Sequence, residues 1–165
     1  MKMGIKRKFL VITIVLILLS PFFGINESKA ASYSIDNWST FPIINYGYTT
    51  SGAFVGFAQS LLYSTGLSHT VGTLDRSYGE KTRAAVRSFQ SSSGLTADGS
   101  VGPNTWSRFK QYATRVPNGY RYRNGSTVYS TYLRSYAAGG DTVGYYWSLY
   151  FNGDVYDSGN TLWYN

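Results

Sequence analysis

The chain has 165 residues, with 15 Lys or Arg, eight Asp or Glu, and no cysteine. Residues 1–30 carry five of the basic residues and one Glu, so they hold four of the seven net positive charges and leave three in 31–165. This weak charge argues against a nucleic-acid partner, which needs a clustered basic face. The lack of cysteine excludes thiol nucleophiles, thiolate metal ligands and disulfide support.

The first 30 residues predict a secretory signal peptide. Lys2, Lys6, Arg7 and Lys8 precede a largely apolar run over 9–19, and the small residues Ser28 and Ala30 follow it. That order of basic, apolar and small residues is typical of a cleaved signal. The apolar run is also much shorter than the roughly 20 residues of a membrane-spanning helix. We expect cleavage after Ala30, with no membrane contact afterwards.

Residues 31–50 show neither helical nor strand periodicity. They are interpreted as an extended lead-in that lays Trp38, Phe41 and Ile43 against the domain that follows.

Three helices are predicted within 51–114. The first has apolar residues at helical spacing, Phe54, Phe57, Ala58, Leu61 and Leu62, and Gly66 follows it as the expected end. The second presents Thr82, Ala85, Val86 and Phe89 on one face and is closed by Gly94. The third begins at Pro103, where a missing N–H costs nothing.

A short pattern occurs twice at the starts of the second and third helices. "DRSYGEKTRAAV" at 75–86 and "DGSVGPNTWSRF" at 98–109 share an Asp, a Ser, a Gly and a Thr at the same spacing. We expect each Asp to accept backbone N–H groups and each Thr hydroxyl to bond back to its loop. The duplication therefore predicts a pair of similar loops that start helices and frame a groove.

The same stretch resembles a known family, the three-helix peptidoglycan-binding domain of bacterial wall hydrolases and spore proteins. It follows that family's Gly-x-x-Thr-x-x-Ala-Val-x-x-Phe-Gln and Gly-Leu-x-x-Asp-Gly-x-Val-Gly-x-x-Thr-Trp patterns. Ala58 and Arg76 depart from it, standing where Leu and Gly are usual. The resemblance covers about 50–114 and implies a three-helix bundle that binds peptidoglycan. The residues assigned to its structural motif are Asp75, Gly79, Thr82, Phe89, Gln90, Gly99, Gly102 and Thr105.

Ligand contact is expected from polar and aromatic side chains that point away from this scaffold. A guanidinium suits the stem-peptide carboxylates of peptidoglycan and the phosphates of teichoic acid. The expected partner is peptidoglycan, through its glycan or its stem peptide, with teichoic acid as a further candidate. The alternatives are a solvated helix face for the basic residues and a core position for the Trp. The candidates are Arg76, Tyr78, Lys81, Arg83, Arg87, Asp98 and Trp106.

Residues 118–165 predict an antiparallel β-meander of four or five strands, which makes the whole chain α+β. Asn124-Gly125 and Asn152-Gly153 are strong hairpin patterns, and "AGGD" and "DSGN" are interpreted as two further turns. Ten of the sixteen tyrosines lie in this part. Tyr146, Trp147 and Tyr150 are candidates for a sugar-stacking platform; alternatively these rings form the core, or the face binds a protein partner.

The chain offers little for catalysis. His69 is the only histidine, so a zinc site is not expected, and no cofactor is implied. The sequence predicts a secreted, non-catalytic protein of the cell wall, most consistent with a Gram-positive bacterium. Two alternatives stay open: the β module is an antibacterial effector or an inhibitor of a wall enzyme, or the chain is a wall hydrolase that uses Glu80.

Overall fold

The protein has an α+β layout, with helices followed by one antiparallel sheet. A computed structural model describes residues 34–139 and 142–161, so the predicted signal segment lies outside the described residues. The helices are α1 (Ala53–Leu62), α2 (Ser68–Val71), α3 (Glu80–Ser92) and α4 (Pro103–Gln111). The strands, adjacent in chain order, are β1 (Ala113–Val116), β2 (Gly119–Tyr122), β3 (Tyr129–Gly139), β4 (Thr142–Phe151) and β5 (Asp154–Thr161). The α+β prediction is confirmed; the description of the helices as a bundle stays a prediction.

The helix ends follow the residues that predicted them. Gly66 has a φ of 86°, a left-handed value that ends the helical turn continuing from α1. Gly94, with a φ of 71°, closes α3, and the Leu95 N–H donates to the Gln90 carbonyl at 2.8 Å. Pro103 is the first residue of α4. None of the described helices is long and apolar enough to cross a membrane.

The lead-in packs against the helices as expected, with one correction. Trp38 and Phe41 are buried, and Trp38 lies in a single 3₁₀ turn, Trp38–Thr40. Ile43, which was predicted to lie in the core, is only half-buried. Its neighbour Ile44 occupies the core position instead. The reason is a backbone bridge in which Ile44 and Val101 exchange two hydrogen bonds of 3.2 and 3.0 Å, which aims the Ile44 side chain inward.

Aromatic rings join the helices to the sheet in one core. Phe57 of α1 stacks on Trp106 of α4 at 5.8 Å, and Phe89 of α3 stacks on Phe109 of α4 at 4.0 Å. Trp38 meets Tyr120 of β2 edge-on at 5.8 Å. Ring pairs of this kind add to the free energy gained by burying their area, so the sheet and the helices stabilise each other.

The sheet differs from the sequence prediction in its first strand and in its last strand. It begins at Ala113, because Asn118 takes a φ of 60° and turns the chain so that β1 pairs with β2. The "DSGN" turn prediction is wrong, since residues 157–160 pair with β4 inside β5. Gly159 serves close packing there: a Cβ would lie 2.7 Å from Trp147 Nε1.

Candidate functional site

Two buried glutamines organise the duplicated loops. In the first loop, Gln59 Nε2 donates to Asp75 Oδ1 (2.9 Å), the Ser77 carbonyl (3.1 Å) and Thr82 Oγ1 (3.0 Å). Gln59 Oε1 accepts the Arg76 backbone N–H at 2.9 Å. Both the amino group and the carbonyl oxygen of the amide are thereby bound to the loop.

The second loop repeats this network bond for bond. Gln90 Nε2 donates to Asp98 Oδ1 (2.8 Å), the Ser100 carbonyl (2.9 Å) and Thr105 Oγ1 (3.0 Å), and Gln90 Oε1 accepts from the Gly99 N–H (2.8 Å). The recurring Asp, Ser and Thr are therefore scaffold residues in both copies.

The expected roles of the Asp and Thr side chains are present in both loops. Asp75 and Asp98 accept the N–H of the Ser two residues on, at 2.9 and 2.7 Å. Thr82 and Thr105 donate back to the carbonyl of that Ser, at 3.4 and 3.2 Å. The hydrogen bond from Gln59 is the main cause that lowers the pKa of Asp75 below its ordinary value of 3.8.

The position after each Asp is left-handed, and the two loops fill it differently. Gly99 has a φ of 84° and Arg76 a φ of 58°. The Arg76 side chain turns to the sheet, where Nη2 donates to Asp157 Oδ1 (2.9 Å) and to the Ser158 carbonyl (2.8 Å). Its guanidinium lies 5.7 Å from the Trp147 ring centre. Arg76, a predicted ligand contact, therefore joins the helices to β5.

Arg83 and Arg87 do come together, over the second loop. A Cβ on Gly99 would meet Arg83 Cγ at 2.8 Å and Arg87 Nε at 3.3 Å, so both side chains lie across this glycine. Arg83 also lies 5.9 Å from the ring centre of Tyr46. We call Tyr46, Arg83, Arg87 and Gly99 the basic–aromatic cluster.

Tyr46 is the residue of this cluster that the sequence analysis missed. Its side chain is 53% exposed, its hydroxyl donates to Glu80 Oε1 at 2.8 Å, and its ring packs edge-on to Tyr78 at 5.2 Å. That hydrogen bond is the first cause that raises the pKa of Tyr46. Tyr46 belongs to the lead-in, 34 residues before Glu80, so no local sequence pattern places it beside α3.

Tyr78 packs against the buried side of the basic–aromatic cluster. It is buried and its hydroxyl donates to the Gly99 carbonyl. Burial raises its pKa to about 12, so the hydroxyl stays protonated and keeps donating. Tyr78 therefore fixes the second loop, and its contact with a ligand stays a prediction.

A cavity of about 210 Å³ is lined by residues of the same loop and of the start of α4. Asp98, Ser100 and Asn104 contribute polar groups to its wall, and Leu95 and Pro103 contribute apolar ones. It includes the start of α4, where Gly102 gives no side-chain cap. The first N–H groups of a helix have no partner within the helix and carry partial positive charge. The cavity can therefore receive a small group with both donors and acceptors.

The other predicted site residues lie elsewhere. Lys81 packs against Gly72, with Cδ 3.3 Å from the position of a Cβ there. Trp106 and Trp147 are fully buried, which corrects their assignment to a binding surface, because their rings fill the core between helices and sheet. Tyr146 and Tyr150 are half-buried on strand β4. Among the described residues, His, Asp and Glu form no group of three or more that could hold a metal ion.

The fold and the site define a helical domain in which two similar loops, each held by a buried glutamine, lead into α3 and α4. Residues 51–109 match the family model described as "Putative peptidoglycan binding domain", and this domain of the chain belongs to that family. The part after residue 109 has no family match.

One curated relative extends the comparison beyond the family segment. It is the "Uncharacterized protein in bpoA1 3'region" of Kitasatospora aureofaciens, 35% identical over 100 residues. The alignment covers 55% of this chain and 80% of the relative. The comparison with solved structures found no match.

Proposed function

We propose that this protein is a non-catalytic peptidoglycan-binding protein of the bacterial cell wall. The observation that carries the proposal is the second loop, where Arg83 and Arg87 cross Gly99 and the cavity opens beside Asp98. Membership of residues 51–109 in the peptidoglycan-binding family supports the wall polymer as the ligand.

The chemistry of the loop suits a stem peptide. A guanidinium donates in a planar fork that matches a carboxylate, so Arg83 and Arg87 are assigned to the acidic groups of the peptide. The cavity offers carboxylate and hydroxyl oxygens of Asp98 and Ser100 to peptide N–H groups. The exposed Tyr46 ring can cover an apolar part of the same ligand. Teichoic phosphate is a second anion that the two arginines could accept.

Secretion to the wall is part of the proposal. It rests on the basic, apolar and small-residue order of 1–30, which gives a mature chain of residues 31–165 after cleavage behind Ala30. A Gram-positive source fits a secreted wall protein that has no disulfides.

The non-catalytic assignment rests on the surroundings of Glu80, the carboxylate of the hydrolase alternative. Glu80 accepts the Tyr46 hydroxyl and lies 3.7 Å from Arg83 Nη1, which makes it part of the support of the basic–aromatic cluster. It is also the first residue of α3, where a carboxylate complements the helix dipole.

The test compares two double variants that remove the same charge. Calorimetric titration of the mature chain with soluble muropeptides should give an affinity at least about tenfold weaker for Arg83→Ala/Arg87→Ala, since charge-assisted hydrogen bonds contribute about 1.5–3 kcal/mol. Lys81→Ala/Arg108→Ala removes two charges outside the cluster and should bind as the wild type does.

If both double variants lost muropeptide affinity equally, the loss would be explained by the lower net charge of the protein and not by a site at the second loop. If Arg83→Ala/Arg87→Ala bound muropeptides as tightly as the wild type, the assignment of the binding site to the second loop would be wrong.

A further inference from the structure

The sheet has a second face that the helices do not cover. The face toward the helices carries the buried side chains of Tyr122, Leu133, Trp147 and Leu149. Because neighbouring residues of a strand point to opposite faces, the residues between them form an outer face. On β3 and β4 this outer face includes Tyr132, Arg134, Tyr146, Ser148 and Tyr150.

Three tyrosines and an arginine are arranged on this face. The Tyr132 and Tyr150 rings meet edge-on at 5.0 Å, and the Arg134 guanidinium lies 4.8 Å from the Tyr132 ring centre. Arg134 is directly opposite Tyr146 in the register. The rings and the guanidinium thus form a row across two strands; we call Tyr132, Arg134, Tyr146 and Tyr150 the tyrosine row.

Small residues lie between the rings. Ser148 is directly opposite Tyr132 on one side and Ser158 on the other, and it is only 6% exposed. Tyr146 and Tyr150 stand two residues before and after it on the same face, about 13 Å apart at the usual rise of a strand. The small Ser148 side chain therefore lies in a depression between the larger rings of Tyr146 and Tyr150, and its hydroxyl forms the floor of that depression.

The charge of the outer face is positive within the described strands. Arg121 of β2 is opposite Tyr132, next to Arg134, and both arginines lie on this face. Arg134 makes no ion pair with a described acidic residue, and its Nε is buried without a hydrogen-bond partner among the described residues. The acidic Asp157 points to the other face, where it binds Arg76. A ligand bound to the outer face would contact tyrosine rings, phenol and serine hydroxyls, and the guanidinium groups of Arg121 and Arg134.

We propose that the tyrosine row, with Arg121, binds an acidic glycan. Sugar rings would stack on Tyr132, Tyr146 and Tyr150, sugar hydroxyls would bond to the phenol and serine oxygens, and the carboxylate or phosphate would pair with Arg134 and Arg121. The spacing of Tyr146 and Tyr150 fits an oligosaccharide better than a single sugar. This site is separate from the second loop, so it does not depend on the function proposed for the helices.

The experiment measures binding of the mature chain to four soluble probes by calorimetry. They are a poly(glycerol phosphate) teichoic acid that carries sugar substituents, peptide-free glycan strands that keep the muramic carboxylate, neutral dextran and poly-L-glutamate. The proposal predicts binding to at least one of the first two, weakened by salt, and at least about tenfold weaker binding to dextran and poly-L-glutamate, since each lacks one of the two contacts. Which acidic glycan binds identifies whether phosphate or carboxylate is the natural anion.

Variants locate the site. Arg134→Gln and Tyr150→Leu, both checked for an unchanged thermal unfolding transition, should each weaken the acidic-glycan affinity by about tenfold, as expected for one lost charge-assisted or stacking contact. Tyr156→Leu removes an exposed ring of β5 outside the row and should leave the affinity unchanged. Equal affinity for poly-L-glutamate would overturn the glycan assignment in favour of a protein partner. Unchanged binding by both row variants would overturn the site.

Discussion

The duplicated glutamine networks make a quantitative prediction about stability. Gln59 is 1% exposed and makes four hydrogen bonds, so Gln59→Leu keeps the volume of the side chain and removes all of them. The Arg76 N–H loses its partner outright, at about 1–3 kcal/mol for an unsatisfied buried donor. Thr82 keeps its bond to the Ser77 carbonyl, and Asp75 keeps the Ser77 N–H, so their losses are smaller. We expect a total cost of about 3 kcal/mol.

Because the second loop repeats the network, Gln90→Leu should cost the same within about 1 kcal/mol. Urea unfolding of the mature chain measures both values, and Gln111→Leu, on the exposed last residue of α4, is the control at less than about 0.5 kcal/mol. Losses below about 1 kcal/mol for both buried glutamines would refute the view that these amides hold the loops together.

Three further predictions test other parts of the structure. Arg76→Gly should change the free energy of unfolding by less than about 1 kcal/mol, because relief of the left-handed backbone offsets the lost surface ion pair, but hydrogen exchange of the β5 amides should quicken; unaltered exchange would contradict the joining role of Arg76. Gly119→Ala should cost about 3 kcal/mol in urea unfolding, since its Cβ would lie 1.9 Å from the Leu133 carbonyl oxygen between β2 and β3; a neutral effect would show that the strands can separate there. The folded state lowers the pKa of Asp75 below its ordinary value of 3.8, so ionised Asp75 stabilises the fold at pH values above 3.8. This contribution disappears as the pH falls through the lowered pKa. Asp75→Asn should therefore reduce the loss of stability below about pH 4, and an unchanged pH profile would contradict the assignment.

Local rules were enough to predict three of the four α-helices and most strands. Gly66, Gly94 and Pro103 marked helix ends through their own backbone preferences. Asn124-Gly125 and Asn152-Gly153 marked the turns before β3 and β5. These features depend on residues close together in the chain.

The errors come from contacts between distant residues. Gly159 looked like a turn residue, and only the Trp147 ring on the neighbouring strand explains a glycine inside β5. Arg76 looked like a solvent-facing cation, and its partners Asp157 and Ser158 lie more than 80 residues later. Tyr46 entered the candidate site through packing on Tyr78 that no local pattern contains.

The most direct test of the account is co-sedimentation of the mature chain with insoluble peptidoglycan from which teichoic acid has been stripped. We predict that the wild-type chain pellets with the stripped polymer, and that Arg83→Ala/Arg87→Ala shifts it to the supernatant while Lys81→Ala/Arg108→Ala does not. A wild-type chain that stays in the supernatant, although it is folded by its unfolding transition, would contradict peptidoglycan binding by residues 51–109.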